Sequence, residues 1–265
     1  MTLGESHQAL GIFETSRFRD FSEVSNERPM QIKRANPPKS EAGPPFAVSK
    51  LLLGGAVLLP RSKQRGGARN RADRESEALT AAQVASLIAA TAHAQAIGLP
   101  FTRMITIHWQ SAGVPLANMV WATGRFVDLL SKAIARFGSR TAWLWVHEGG
   151  REKGGHCHLL AYVPPEFVTR LKRLQMRWLR LITDRPYKDK VIRSKPIGGR
   201  LGLELSNPEL HAANLVAALC YHLKGLRPEH SSGFALPRLE PGGRVIGKRC
   251  GTSQNIGAKA RNAKD

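Results

Sequence analysis

The alternation of apolar and polar positions predicts three strands in the middle of the chain. Residues 101–109 alternate in the manner of a half-buried strand. Residues 141–148 and 156–163 do the same on either side of a glycine-rich, charged turn, which predicts an antiparallel hairpin, and two prolines follow its second strand. A shorter apolar run, 201–205, is the candidate for a fourth strand.

Apolar residues at helical spacing predict four helices around these strands. Thr80 and Gln83 have the spacing of a capping box at the start of the first helix. Asn207 is a candidate N-cap for the last helix, which Gly225 ends. The third helix is amphipathic and strongly basic. The four predicted helices cover about 81–97, 116–137, 166–182 and 208–225.

This order of elements predicts an α+β domain, in which a mostly antiparallel sheet of four or five strands has helices packed on it. We assign residues 76–226 to this domain. Residues 1–75 are rich in Pro, Gly, Ser and charge and lack sustained periodicity, which predicts a disordered basic tail. Residues 227–265 are interpreted as a basic C-terminal extension.

The charge balance indicates a polyanionic partner. Lys and Arg total 40 against 20 acidic residues, a formal net charge of +20, and phosphates neutralised by such an excess release condensed counterions. Nucleic acid is the first candidate and a membrane surface the second, although the longest apolar run, 51–60, is far shorter than the ~20 residues of a membrane-spanning helix. Because the N-terminus lacks a signal-peptide layout and the cysteines suggest no disulfide framework, we expect a cytoplasmic protein.

His156 and His158 mark a candidate metal site on the second strand of the hairpin. Alternate residues of a strand share a face, so the two imidazoles point together while Cys157 lies on the opposite, apolar face. If the turn closes symmetrically, Glu148 lies across from His156 and completes a set of three ligands, whereas a slip of one residue would turn Glu148 away. Two imidazoles and a carboxylate suit Mn²⁺ or Mg²⁺ in phosphate chemistry, and Zn²⁺ is an alternative.

The last predicted helix carries a candidate nucleophile. Tyr221 and Lys224 lie on one stripe of this helix, beside an apolar stripe that can dock on the sheet. A tyrosine hydroxyl can attack phosphorus and form a covalent phosphotyrosine, and Lys224 would stabilise charge one helical turn away. The other two tyrosines are less well placed, since Tyr162 lies on the histidine strand and Tyr187 in a basic loop.

Together these elements resemble the HUH endonuclease superfamily, above all its one-tyrosine rolling-circle replication initiators and also its single-strand transposases. The family has a strand motif, a His-hydrophobic-His strand and a helix with Tyr-x-x-Lys, in that order, and the similar segments here are 101–109, 156–158 and 221–225. The resemblance implies an RRM-like fold and metal-assisted nicking of single-stranded or extruded origin DNA. Tyr221 would form a 5′-phosphotyrosine and leave a free 3′-hydroxyl.

The expected DNA contacts lie on the basic third helix and in the basic C-terminal segment. They are Arg170, Arg173, Arg177, Arg180, Lys248 and Arg249. Segment 242–249 approaches a phosphate-binding P-loop, but Arg249 stands where Ser or Thr is required and no clear strand precedes it. This predicts a flexible basic loop and leaves DNA unwinding to a host helicase.

Two alternatives of other classes stay open at the level of sequence. One is a non-catalytic nucleic-acid-binding module on the same sheet topology, which needs the charge but not the metal. The other is a membrane-surface protein that uses the basic helix. His108 is either an accessory metal ligand or, as we expect, an exposed histidine.

Overall fold

The computed structural model describes residues 73–150 and 154–263, and an antiparallel sheet of five strands lies at its centre. The strands are β1 (Glu75–Ser76), β2 (Arg103–Ile107), β3 (Trp143–Gly150), β4 (Gly154–Ala161), β5 (Ile192–Pro196), β6 (Val245–Ile246) and β7 (Cys250–Thr252). The central sheet has the order β5-β2-β4-β3-β7, and β1 pairs with β6 in a separate two-stranded sheet. The predicted α+β class is therefore confirmed.

Helices begin and end largely where the sequence predicted, because local capping groups are present. Thr80 Oγ1 accepts a hydrogen bond from the Gln83 amide at 3.3 Å while Gln83 Oε1 accepts from the Thr80 amide at 2.9 Å. Asn207 Oδ1 likewise accepts from the Leu210 amide at 3.0 Å. The helices are α1 (Ala81–Ala96), α2 (Met119–Arg136), α3 (Val168–Thr183), α4 (Leu203–Ser206), α5 (Pro208–Leu223) and α6 (Ala258–Arg261).

Helices cover both faces of the central sheet, since its inner strands carry apolar residues on both. On one face, α2 and α3 pack against side chains that include Ile105, Cys157 and Leu159. On the other face, α1 and α5 pack against Leu144 and Leu160. The two layers have different roles, because the histidines of β4 lie on the face that α1 and α5 share.

The prediction of a fourth strand at residues 201–205 is wrong. Residues 203–206 form α4, and three glycines with positive φ between residues 198 and 202 interrupt any extended conformation there. The strand that pairs with β2 is β5. β5 is an edge strand of five residues that contains two basic residues and a terminal proline. Edge strands tolerate such residues, but they weaken the apolar alternation by which a strand is predicted from sequence.

The C-terminal segment is part of the folded domain, which corrects the boundary expected at residue 226. β7 pairs with β3 through Leu144 opposite Thr252 and Val146 opposite Cys250. Val245 and Ile256 are fully buried, one in each apolar core. Residues 227–263 therefore complete the sheet and its cores instead of extending from them.

Segment 242–249 is an ordered part of the fold, so its interpretation as a flexible loop is also wrong. Gly243 has φ +65°, and a Cβ on Gly149 would lie 1.9 Å from the Arg244 carbonyl oxygen, so two backbones touch where only glycine fits. Arg249 is buried and donates to Ser76 Oγ at 2.9 Å and to the His147 carbonyl at 3.3 Å. Burial lowers the pKa of Arg249 to about 10, which leaves its guanidinium charged at neutral pH.

The tail predicted over residues 1–75 lies outside the described residues as far as residue 72. Of its last three positions, Glu75 begins β1 and its Oε2 accepts from Arg244 Nε at 2.8 Å. Among the helices in the described part of the chain, none combines the length and apolar character needed to cross a membrane.

Candidate active site

The register of the β3–β4 hairpin brings Glu148 onto the histidine face. Glu148 lies directly opposite His156, with Gly149 opposite Gly155 and Gly150 opposite Gly154. Directly paired residues of an antiparallel ladder project to the same side. Glu148 Oε2 consequently lies 3.3 Å from His156 Nε2 and 3.6 Å from His158 Nε2. The symmetrical closure on which the predicted site depended is confirmed.

These three side chains, called the ligand set below, can hold a metal ion. Their potential ligand atoms lie within 4.8 Å of one another, and each residue is at most 5% exposed. Among the described residues, Glu148 Oε1 and His158 Nε2 are buried without a hydrogen-bonding partner. An unpaired buried polar group costs about 1–3 kcal/mol, and coordination of a cation would remove that cost at both atoms.

The partners of the two imidazoles orient their nitrogens toward Glu148. His156 Nδ1 donates to the Gly154 carbonyl at 2.9 Å, so a neutral His156 presents the lone pair of Nε2 to the carboxylate. His158 Nδ1 lies 3.0 Å from Thr106 Oγ1, and burial lowers the pKa of His158. Two imidazole nitrogens and a carboxylate at this separation form a donor set that suits a cation.

Lys224 supplies positive charge beside the ligand set. Its Nζ lies 3.2 Å from Glu148 Oε2 and 2.9 Å from Glu240 Oε2, and the residue is 7% exposed. Burial lowers the pKa of Lys224, but the hydrogen bond to Glu240 and the charge of Glu148 outweigh it and raise that pKa above its ordinary value. Burial raises the pKa of Glu148, but the neighbouring imidazoles of His156 and His158 and the charge of Lys224 outweigh it and hold that pKa well below its ordinary value.

Tyr221 lies at the edge of the ligand set, near the end of α5. Its ring centroid is 5.0 Å from that of His158, Lys224 Nζ is 4.3 Å from its ring centroid, and the residue is 38% exposed. Tyr162 and Tyr187 are half-buried beside the two apolar cores. Of the three tyrosines, Tyr221 is therefore the one that is both next to the ligand set and accessible.

Comparison with protein-family models, curated proteins and solved structures finds no match. The geometry and charge of the site therefore carry what can be inferred about its chemistry. Its parts come from several segments of the chain: the β3–β4 hairpin supplies the ligand set, and β2, β5 and α5 supply residues around it.

A basic groove of about 400 Å³ leads from the ligand set to the edge of the sheet. Arg193 lies opposite Thr106 and Lys195 opposite Met104, so both cations share the face of His158. Sequence reasoning missed them, and the available signal was the alternation of two cations within a short strand. The groove is lined by Met104, Thr106, His108, His156, His158, Arg193, Lys195 and Tyr221.

His108 lies within this groove, which corrects its expected position as an exposed histidine. It is half-buried, and its ring stacks on that of His156 with centroids 5.5 Å apart. A second unexpected imidazole, His222, is fully buried, and its ring centroid lies 5.6 Å from that of His158. Burial and the neighbouring His158 lower the pKa of His222 to about 3, so the side chain is neutral at neutral pH.

The residues expected to contact DNA lie elsewhere. Arg170, Arg173, Arg177 and Arg180 are exposed, but α3 packs on the sheet face opposite the histidines. Lys248 is exposed and lies 5.9 Å from the ring of Trp145, a residue of that same opposite face. Arg249 is 2% exposed and holds backbone carbonyls, so it cannot present its guanidinium to a phosphate.

Proposed function

We propose that this protein nicks single-stranded DNA through Tyr221, with a divalent cation held by the ligand set. One observation carries the proposal: an accessible tyrosine lies beside a buried Glu-His-His set at the end of a basic groove. Phosphodiester transfer needs a nucleophile, stabilisation of charge on the phosphate and contacts for the backbone. This corner of the fold offers a candidate residue for each need.

In the proposed reaction, the Tyr221 oxygen attacks the scissile phosphorus and loses its proton. A tyrosine–phosphorus ester forms as the bond from phosphorus to the 3′-oxygen breaks, and the departing 3′-oxygen takes up a proton. Mn²⁺ or Mg²⁺ bound to the ligand set would polarise the phosphate. The products are a 5′-phosphotyrosine and a free 3′-hydroxyl, and the ester preserves the bond energy for a later strand transfer.

Other side chains have supporting roles in this scheme. The charge of Lys224, 4.3 Å from the Tyr221 ring, favours the developing phenolate. Arg193 and Lys195 bind phosphates of the strand on one side of the scissile bond. Ion pairs with Glu148 and Glu240 hold Lys224 in place before the DNA binds.

The same chemistry serves a rolling-circle replication initiator and a single-strand transposase. The order of the motifs, with the histidine strand before the tyrosine helix, favours an initiator of the one-tyrosine class. Segment 242–249 is folded against Gly149 and does not form a nucleotide-binding loop. Unwinding of the origin is accordingly assigned to a separate helicase from the host.

A covalent adduct is the decisive test. The full chain is incubated with Mn²⁺ and a randomised pool of single-stranded DNA labelled at the 3′ end, because the proposed ester retains the 3′ part of the strand. We expect a labelled protein adduct that maps to Tyr221 and that the Tyr221→Phe variant does not form. Tyr187→Phe is the matched control and should react like the parent, since Tyr187 packs beside the opposite core.

The main rival is a binding module without catalysis, which the charge of +20 and the basic groove also favour. Such a module would bind the DNA pool and form no adduct with any divalent cation. An adduct that persists in Tyr221→Phe would instead show that the wrong nucleophile has been assigned.

A further inference from the structure

A second cavity, of about 480 Å³, lies along α5 next to the basic groove. Tyr221 lines both the cavity and the groove, and Lys224 contributes to the cavity wall. The rest of the helix wall is small or apolar, with Ala213, Ala217 and Cys220 at intervals of three and four residues. The opposite wall comes from segment 235–240, so the C-terminal part of the chain builds half of this cavity.

The polar groups of the cavity are few. Arg238 and Glu240 form an ion pair in which Arg238 Nε lies 2.7 Å from Glu240 Oε1, and Arg238 is exposed. The two cations of the lining, Lys224 and Arg238, are both paired with Glu240, and the other walls are mostly apolar, which disfavours an anion. A flat group with apolar faces and a polar edge can pack its faces on the apolar walls and direct its edge to the few polar side chains.

We propose that this cavity receives the nucleobase next to the scissile phosphate while Arg193 and Lys195 hold the backbone. The inference rests on the proposed function. A strand that brings a phosphate to Tyr221 passes from a cationic surface to an apolar one, because the groove and the cavity meet at that residue. Polynucleotides carry the complementary pair of groups, anionic phosphates and stacking bases, and bases stack on exposed aromatic rings such as that of Tyr221.

Filling the cavity tests this inference separately from catalysis. Binding of the full chain is measured by fluorescence anisotropy in EDTA, so that no cleavage occurs. The two probes are an oligothymidylate and an oligomer of the same length with abasic sugars. Ala217→Leu and Ala213→Leu each place a larger side chain in the cavity at different distances from Tyr221. Ala135→Leu is the control, an exposed alanine of α2 on the other side of the sheet.

We expect the parent to bind oligothymidylate about tenfold more tightly than the abasic oligomer, in the range of one base contact. Both cavity variants should lose most of this difference and leave abasic binding unchanged, while Ala135→Leu should behave like the parent. Far-ultraviolet circular dichroism and thermal unfolding verify that each variant is folded. If one cavity variant does not fold, the other one is used for the test.

Three outcomes would overturn the inference. The first is equal affinity of the parent for both probes. The second is parent-like base preference in both cavity variants, which would leave the cavity for a ligand other than a nucleobase. The third is a loss of affinity of the cavity variants for both probes alike, because that result reports a damaged backbone contact. Failure of the proposed function has a different signature: no covalent adduct forms with DNA, while the preference for the probe with bases is intact.

Discussion

At the scale of single residues, the hydrogen-bonding partner of each imidazole determines what the site can bind. The Gly154 carbonyl keeps a proton on His156 Nδ1, and Thr106 occupies Nδ1 of His158, so both Nε2 atoms are directed to Glu148. The ammonium group of Lys224 forms an ion pair with the same carboxylate. The set is therefore arranged for a cation before any cation binds.

Glu148→Gln should weaken Mn²⁺ binding by at least about a hundredfold, because loss of a ligand exceeds the loss of an outer-shell partner. Isothermal titration calorimetry with Mn²⁺ measures this change. Glu240→Gln is the matched control: it removes a carboxylate from the same lysine but lies outside the ligand set, so it should bind Mn²⁺ like the parent. Equal Mn²⁺ affinity of Glu148→Gln and the parent would refute the metal assignment.

The buried side chain of His147 makes the stability of the fold depend on pH. Trp109 Nε1 donates to Thr123 Oγ1 at 2.8 Å, and Lys248 O accepts from His147 Nδ1 at 3.1 Å, so the Thr123 hydroxyl donates to His147 Nε2 at 2.8 Å. This chain of hydrogen bonds satisfies the neutral ring. Burial lowers the pKa of His147 from 6.5 to about 3, so the unfolded chain binds the proton more tightly than the folded protein does.

Stability from His147 is accordingly complete above about pH 6.5 and is lost as the pH falls toward the folded pKa. Between roughly pH 7 and pH 5 the loss should be about 2 kcal/mol. Urea unfolding of the parent and of His147→Gln at both pH values isolates this contribution. The variant should lose about 2 kcal/mol less than the parent over this interval, and an identical loss in both proteins would contradict the prediction.

At the scale of elements, the end of the β3–β4 hairpin depends on glycine. Gly149 touches the backbone of segment 243–244, where an added Cβ would meet the Arg244 carbonyl. A Cβ on the adjacent Gly150 would meet no atom of the described residues within 4 Å. The contact ties the hairpin that carries the ligand set to the returning C-terminal strands. The two neighbouring glycines therefore differ in what they tolerate.

Gly149→Ala should destabilise the fold by about 1–3 kcal/mol, the usual cost of overpacking. It should also weaken Mn²⁺ binding, because the adjacent Glu148 moves with the backbone. Chemical denaturation and calorimetry measure the two effects. Gly150→Ala is the control and should change the free energy of unfolding by less than about 1 kcal/mol; comparable losses in both variants would rule out the backbone contact as the cause.

At the scale of the whole molecule, the basic surface is divided between the two faces of the sheet. The arginines of α3 lie on one face, and Arg193 and Lys195 lie on the other with the ligand set. A net charge of +20 attracts polyanions to the whole surface. Among the described residues, it is the second face that joins that charge to the ligand set and Tyr221.

Replacing both Arg193 and Lys195 by alanine should weaken binding of single-stranded DNA and reduce the dependence of log K on log salt by about 1.4, two contacts at ~0.7 each. Anisotropy titrations over a series of salt concentrations give this slope. The double variant Arg173→Ala/Arg177→Ala removes equal charge from the opposite face and should change the slope less. A larger effect of the α3 pair would place the strand on that face.

Much of the fold follows from relations over a few residues. The capping box at Thr80, the N-cap at Asn207 and the division of β4 into a histidine face and a Cys157 face depend on neighbours and on strand periodicity, and all three are confirmed. The symmetrical hairpin belongs to the same class, because a short turn joins the paired residues. The sequence by itself therefore determined the ligand set and the helix that carries Tyr221.

Only the tertiary structure decided what surrounds that set. The pairing of β5 with β2, the return of the C-terminal chain to β3 and the face that α3 covers join segments far apart in sequence. Periodicity states which residues share a face but not which distant strand or layer that face meets. Such long-range pairings place Arg193, Lys195 and Glu240 beside the ligand set and bury Arg249, and the sequence pattern does not predict either outcome.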